Sequence, residues 1–256
     1  MLDQTRWPEL HDVACWLARP VERQLAVLDA IAGASGRERR AFLSDPEPQR
    51  FRPGGPRLAH RRSGLRCCLV PGGLARLGSS DATRTVSIAP FLLAEEPLSS
   101  DDGLRFGVGG WRRTRFLPAE GGVLYLEADE IERMTLPPLR LPTDDEWEAA
   151  WRAGTTTTFF WGEEVPAAPP ALPHLLGLAM PGWWDEATAG GRVRGGAARL
   201  WPWRDDEGLQ RLRPEFARTL ADDLAPHSLA LRLALSLAAL DDYGDVSDLT
   251  TSAAPR

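Results

Sequence analysis

The sequence predicts an α+β fold with a small helical extension at its N-terminus. Apolar residues recur at helical spacing within residues 8–45, whereas residues 65–97 carry apolar runs and alternation typical of β-strands. A well-marked helix start follows at residue 143 and leads into a β-branched and aromatic run at 155–161. These regions define a helical extension and a main domain that mixes helices with strands.

The chain is expected to divide into four parts. Residues 1–45 form the helical extension, in which Leu10, Val13, Ala14 and Leu17 make one apolar stripe. Residues 46–64 are rich in proline and glycine and are predicted to be a linker. Residues 65–240 form the main domain, and the polar residues 241–256 are expected to be a disordered tail.

The main domain opens with two predicted strands. Residues 65–71 form an apolar run bounded by glycines, and residues 83–97 alternate, with Val86, Ile88 and Phe91 on one face. Cys67 and Cys68 lie on the first strand and are expected to be buried apolar residues, because free cysteine is among the most buried residue types. Three cysteines, two of them adjacent, do not make a disulfide framework.

The most specific local signal is the helix start at residue 143. Thr143 can cap the helix, and Glu146 can reach back to close a capping box. Trp147 and Trp151 then share one helix face, and Gly154 is expected to end the helix. The run after Gly154 is expected to be extended.

Composition excludes several classes of function. With 43% hydrophobic and 26% charged residues, the 256-residue chain can bury a core, and its net charge of −6 gives no electrostatic case for nucleic acid. The chain contains no lysine and no asparagine, which excludes a Schiff-base lysine, a phosphate-loop lysine and N-linked glycosylation. No secretion signal and no membrane-spanning stretch is recognised, so a cytoplasmic bacterial protein is expected.

Residues 140–162 resemble a known family signature. They read Leu-Pro-Thr-x-x-Glu-Trp-Glu-x-Ala-x-Arg-x-Gly, followed by Trp-Gly, which is similar to the signature of the formylglycine-generating, sulfatase-modifying-factor family. The resemblance implies a variant of the C-type-lectin fold. The expected fold is therefore α+β, sulfatase-modifying-factor-type and C-type-lectin-like, with a small N-terminal helical extension.

Further similarities extend the resemblance to roughly residues 65–237. Residues 176–186 look like the family's Gly-Leu-x-x-Met-x-Gly-Asn-Val-Trp-Glu-Trp box, one residue short and without the asparagine. Other segments resemble, in chain order, the opening hairpin, the second helix, the Arg-Gly-Gly turn and the terminal strand of the family: 71–80, 124–134, 192–196 and 229–237.

The resemblance implies two kinds of catalytic site, and the sequence lacks the residues of both. In the oxidase branch a pair of cysteines follows the Arg-Gly-Gly turn and binds copper as thiolates, but residues 197–205 contain no cysteine. The other branch holds non-heme iron with three histidines. The four histidines here, His11, His60, His174 and His227, show no chelating spacing. Neither copper nor iron is expected, and a structural role is predicted for His174.

A calcium site is the one cofactor that the resemblance leaves open. The family draws on the asparagine and acidic residues of its Gly-Asn-Val-Trp-Glu box. Asp185 and Glu186 keep oxygen donors there, while Trp183 replaces the asparagine. Because calcium takes six or more oxygen ligands, Asp185 and Glu186 would need further partners.

The function predicted from the sequence is a non-catalytic domain that binds a protein or peptide. Large aromatic residues near the former active-site groove favour recognition, and the predicted ligand-binding residues are Trp183, Trp184, Arg194, Trp201, Trp203 and Arg204. The alternative is a metal-dependent oxidoreductase or other enzyme of the same superfamily with a substituted active site, which would use Asp205, Glu207 or His227. A third hypothesis is a structural subunit of a bacterial complex.

Overall fold

The computed structural model describes residues 8–33, 57–59, 65–79, 81–98, 125–126, 139–159, 161–163, 174, 176, 178, 185–189, 191–195, 210–211, 213–219 and 229–237. Within these ranges one 3-10 helix precedes three α-helices and eleven strands. The helices are the 3-10 helix Pro8–His11, α1 (Val13–Leu17), α2 (Val21–Gly33) and α3 (Asp144–Arg152).

The described strands form three sheets. The first is antiparallel and runs β1 (Leu58–Ala59), β2 (Arg66–Val70), β5 (Phe91–Ala94), β11 (Ala234–Ser236). The second runs β6 (Tyr125–Leu126), β10 (Leu229–Ala230), β7 (Asp185–Ala187), β8 (Arg192–Gly195), β9 (Ala217–Thr219), and its β10–β7 pair is parallel. The third is the hairpin of β3 (Gly73–Leu77) and β4 (Arg84–Ile88).

The N-terminal helices share one apolar core with the first sheet. Trp16 and Leu28 are buried in the same cluster as Leu92 of β5. The Gly72 N–H donates to the Leu10 carbonyl at 2.7 Å, which joins the 3-10 helix to the turn before β3. Strand β1 lies within the residues 46–64 that were predicted to be a linker. The division into extension, linker and domain stays a prediction.

Residue 73 must be glycine for the chain to make this junction. Gly73 has a φ of +105°, in the region that L side chains rarely adopt. A Cβ built there would lie 1.9 Å from the His11 carbonyl oxygen. The turn between β2 and β3 is therefore fixed by close backbone contact with the helical segment.

The predicted opening strand is confirmed as β2, and its cysteines are both buried. The prediction of one strand over residues 83–97 is wrong, because β4 and β5 belong to different sheets. The chain leaves the hairpin at Ala89 and Pro90, where proline removes a backbone donor and interrupts pairing. The resemblance of residues 71–80 to an opening hairpin fits only in part, since β3 pairs with β4 and not with β2.

The extended run predicted after α3 is wrong. Thr155 donates its hydroxyl to the Arg152 carbonyl at 2.7 Å, and Thr157 donates to the Phe159 carbonyl at 2.6 Å. Phe159 and Gly162 then close a tight turn by backbone hydrogen bonds. Threonine hydroxyls compete with strand pairing by bonding nearby backbone, which explains the irregular path of this loop.

Three predictions based on the resemblance also differ from the structure. Within residues 124–134, predicted to be a helix, the two described residues form β6 and pair with β10. Residues 192–195, predicted to be a turn, form β8, and the turn-like feature is Gly195 with a φ of +78°. Residues 229–237 form β10 and β11, separated at residues 231–233, instead of one strand.

The start of α3 is the prediction that the structure confirms in most detail. The Thr143 hydroxyl accepts from the Glu146 N–H at 3.2 Å, and the Glu146 carboxylate accepts from the Thr143 N–H at 2.8 Å. Burial raises the pKa of Glu146, but hydrogen bonds from Arg140 and Thr143 outweigh it and leave that pKa below its ordinary value. Ala153 and Gly154, both with positive φ, end the helix.

Replacing Thr143 with alanine should therefore lower the free energy of unfolding by about 1 kcal/mol, because one N-terminal N–H of α3 loses its acceptor. Chemical denaturation of the two proteins measures the difference. Thr156→Ala, at an exposed threonine in the loop after the same helix, is the matched control and should change stability by less than about 0.5 kcal/mol. Equal losses in both variants would contradict a capping role.

Candidate functional site

Two tryptophans of α3 form the apolar side of the candidate site. Trp147 and Trp151 are buried one helical turn apart, with ring centroids 4.5 Å apart and planes at 85°. The half-buried Trp161 packs against them and stacks on Phe159 at 4.9 Å. The edge-to-face geometry of Trp147 and Trp151 is a preferred arrangement of aromatic rings. Their contact confirms the prediction that these two side chains share one face of the helix.

A buried ion pair joins strand β7 to the segment between β10 and β11, and Trp147 of α3 contacts the same carboxylate. Arg232 donates through Nε and Nη2 to the two carboxylate oxygens of Glu186, at 2.9 and 2.8 Å. The Trp147 indole N–H donates to the same carboxylate at 2.9 Å. Arg232 also donates to the carbonyls of Ala94 and Glu95, at the end of β5. One carboxylate thus connects the helix, the second sheet and the segment between β10 and β11.

Arg194 of β8 is held inside the fold beside α3. Its guanidinium lies 5.6 Å from the centre of the Trp147 ring and donates to the Pro214 carbonyl at 2.8 Å. Asp144 lies 3.4 Å from Nε, and Glu148 lies 3.7 Å from Nη1. Burial lowers the pKa of Arg194, and the two carboxylates oppose that shift. The contacts are those of a residue that supports the site, and ligand binding by Arg194 stays a prediction.

A second buried ion pair lies within α3 and is hydrogen-bonded to the loop of the β3–β4 hairpin. Arg152 donates through Nε to Glu148 at 2.9 Å, one turn earlier on the helix, and through Nη2 to Glu215 at 2.9 Å. The Gly78 N–H donates to Glu148 and the Gly78 carbonyl accepts from Arg152, each at 2.7 Å. Sequence reasoning missed Glu148 and Arg152. The i, i+4 spacing of the two charges was the signal that could have found the pair.

The aromatic residues predicted to bind a ligand lie outside the described part of the chain. These residues are Trp183, Trp184, Trp201 and Trp203, together with Arg204. The neighbouring strands are described: Asp185 pairs with Gly195 at one end of the β7–β8 hairpin. Segments 183–184 and 196–204 therefore connect to the described fold at the same end of that hairpin. They join it next to Glu186 and Arg194, whose side chains contact Trp147.

The calcium prediction concerns Asp185 and Glu186. The two oxygens of Glu186 accept three hydrogen bonds from Arg232 and Trp147, so bidentate calcium binding there would require Glu186 to give up at least one of these partners. The Asp185 side chain is outside the described residues. Among the described residues, no group of three or more histidine, cysteine, aspartate or glutamate side chains is placed to hold a metal ion. The calcium site stays a prediction.

The buried cysteines are held in their thiol form. Burial raises the pKa of Cys67 far above its ordinary value and that of Cys68 to about 12. Because the thiolate is the nucleophile and the metal ligand, these two side chains are poor candidates for either role at neutral pH. Their burial is what the sequence predicted.

His174 has the hydrogen bonds of a structural histidine. It is buried, with Nε2 2.7 Å from the Trp151 carbonyl oxygen and Nδ1 accepting from the Leu176 N–H at 3.3 Å. Because a carbonyl oxygen can only accept a hydrogen bond, Nε2 must carry the proton of the neutral ring, and Nδ1 is then the acceptor. Burial lowers the pKa of His174 from 6.5 to about 4. His11 is half-buried in the 3-10 helix, while His60 and His227 are outside the described residues.

No protein-family model matches the chain, and no curated protein matches it. Among the helices that the structure describes, none combines the length and apolar character needed to cross a membrane.

Proposed function

We propose that this protein is a non-catalytic domain of the sulfatase-modifying-factor type, with a C-type-lectin-like α+β fold, that binds a protein or peptide. The partner contacts Trp183, Trp184, Trp201 and Trp203, which belong to the two chain segments that continue from the open end of the β7–β8 hairpin. The domain works in the cytoplasm, as a subunit of a bacterial complex. The observation that carries the proposal is the pairing of Asp185 with Gly195, because the two tryptophan-bearing segments connect to the fold at that pair.

The packing of α3 supports a binding role at this place. Its capping box and its two buried tryptophans lie in the string that resembles the family signature. Through Glu186 and Arg194 that helix contacts both strands of the hairpin that leads to the tryptophans. The two strands to which the predicted binding segments are attached are therefore held by a buried helix that contacts both of them.

The state of the reactive side chains favours binding over catalysis. The carboxylates beside α3 that could act as acids or bases are engaged in hydrogen bonds or ion pairs with arginines: Asp144, Glu148 and Glu186. The two buried cysteines are protonated at neutral pH because burial raises the pKa of each thiol. The alternative enzyme would use Asp205, Glu207 or His227, which lie outside the described residues. Its test is part of the experiment below.

The proposal is tested by co-purifying the tagged full-length protein with the products of neighbouring genes. We expect one stable complex, and we expect Trp201→Ala with Trp203→Ala to weaken it at least about tenfold, because tryptophan anchors dominate many interfaces. Trp111→Ala is the matched control, since Trp111 is outside the predicted site. This variant should bind the partner with the same affinity as the wild type. Titration calorimetry with the purified partner measures the three affinities.

Three outcomes would contradict the proposal. Equal affinity of the double variant and the wild type would remove the predicted site. Conversion of a cysteine in a sulfatase-derived peptide to its aldehyde by the purified protein, or stoichiometric copper or iron in metal analysis, would establish the enzyme alternative. Unchanged circular dichroism of the double variant ensures that a lost affinity is not lost folding.

A further inference from the structure

We draw no further inference here: the strongest candidate, the outer face of the β3–β4 hairpin, where Leu74 is 79% exposed beside Arg76, Thr85 and Ser87, carries nothing because, within the described part of the chain, nothing in the structure shows what covers it.

Discussion

Glu186→Ala is expected to lower the free energy of unfolding by about 3–5 kcal/mol, the usual cost of leaving one member of a buried ion pair alone. Arg232 is 1% exposed, so its guanidinium would stay buried without the carboxylate that it contacts through two nitrogens. The Trp147 indole N–H would lose its acceptor as well, which adds the cost of an unmade buried hydrogen bond. Urea denaturation of the variant and the wild type measures the loss.

A double-mutant cycle separates the ion pair from the general cost of truncation. Arg232→Ala alone should also be strongly destabilising, and the double variant should lose less than the sum of the two single losses, because no charge is then left unpaired. Asp145→Ala is the control, since Asp145 pairs with Arg84 at a more exposed position. Its loss should be about 1 kcal/mol or less. Strict additivity in the Glu186–Arg232 cycle would contradict the coupling that the structure shows.

The second large effect is an acid-dependent loss of stability caused by His174. Burial lowers its pKa from 6.5 to about 4, so the unfolded chain binds a proton at a higher pH than the folded protein does. The stability that the neutral ring provides is complete above pH 6.5 and is lost as the pH falls towards 4. Between pH 7 and 5 the expected loss is about 2 kcal/mol. Denaturation curves at intervals of half a pH unit measure it.

Two controls identify the histidine responsible. His174→Gln should reduce the loss between pH 7 and 5, whereas His11→Gln should retain it because His174 is still present. Protonation of carboxyl groups with lowered pKa values, such as Glu146 and Asp145, also lowers the free energy of unfolding. That loss occurs at or below about pH 4.5, outside the interval between pH 7 and 5 over which the His174 effect is measured. If His174→Gln does not fold, an NMR titration of the wild type decides, because His174 should show no charge change above pH 5.

Local patterns predicted the elements whose signal is contained in a few neighbouring residues. The α3 start was correct in detail because a capping box is satisfied by residues three positions apart, without help from the rest of the chain. The apolar run of β2 was correct for a similar reason, since a short apolar segment bounded by glycines has few other solutions. The helical stripe near the N-terminus was right only in part: Leu10, Val13 and Leu17 contact the core, but Ala14 is exposed and the buried Trp16 was not among the predicted residues.

The errors occur where the outcome depends on distant residues. One alternating run became β4 and β5 because one half pairs with β3 and the other half with β2 and β11. The threonine run followed a local loop because its hydroxyls found backbone acceptors. Strand pairing gains its stability from partners far along the chain, and no short window of sequence contains them.

The residues of the candidate site could be predicted from the sequence only in part. The tryptophans predicted to bind a ligand could be named from the sequence because large aromatic residues near a predicted groove favour recognition. Arg194 could be named because it lies in the segment that resembles the family's Arg-Gly-Gly turn. The sequence could not show that Glu186 binds Arg232 and Trp147, since these partners are 46 and 39 residues away. A buried charge is stable only when its partner is brought to it, so the pairing is set by the assembled fold.

By itself the sequence determined where α3 begins, that β2 is a buried strand and which aromatic residues are candidates for recognition. The tertiary structure alone decided which strands pair, how the N-terminal helices enter the common core and why Glu186 and Arg194 support the helix. The physical reason is range: capping and apolar periodicity act over a few residues, whereas sheet pairing and buried ion pairs form only when remote segments meet.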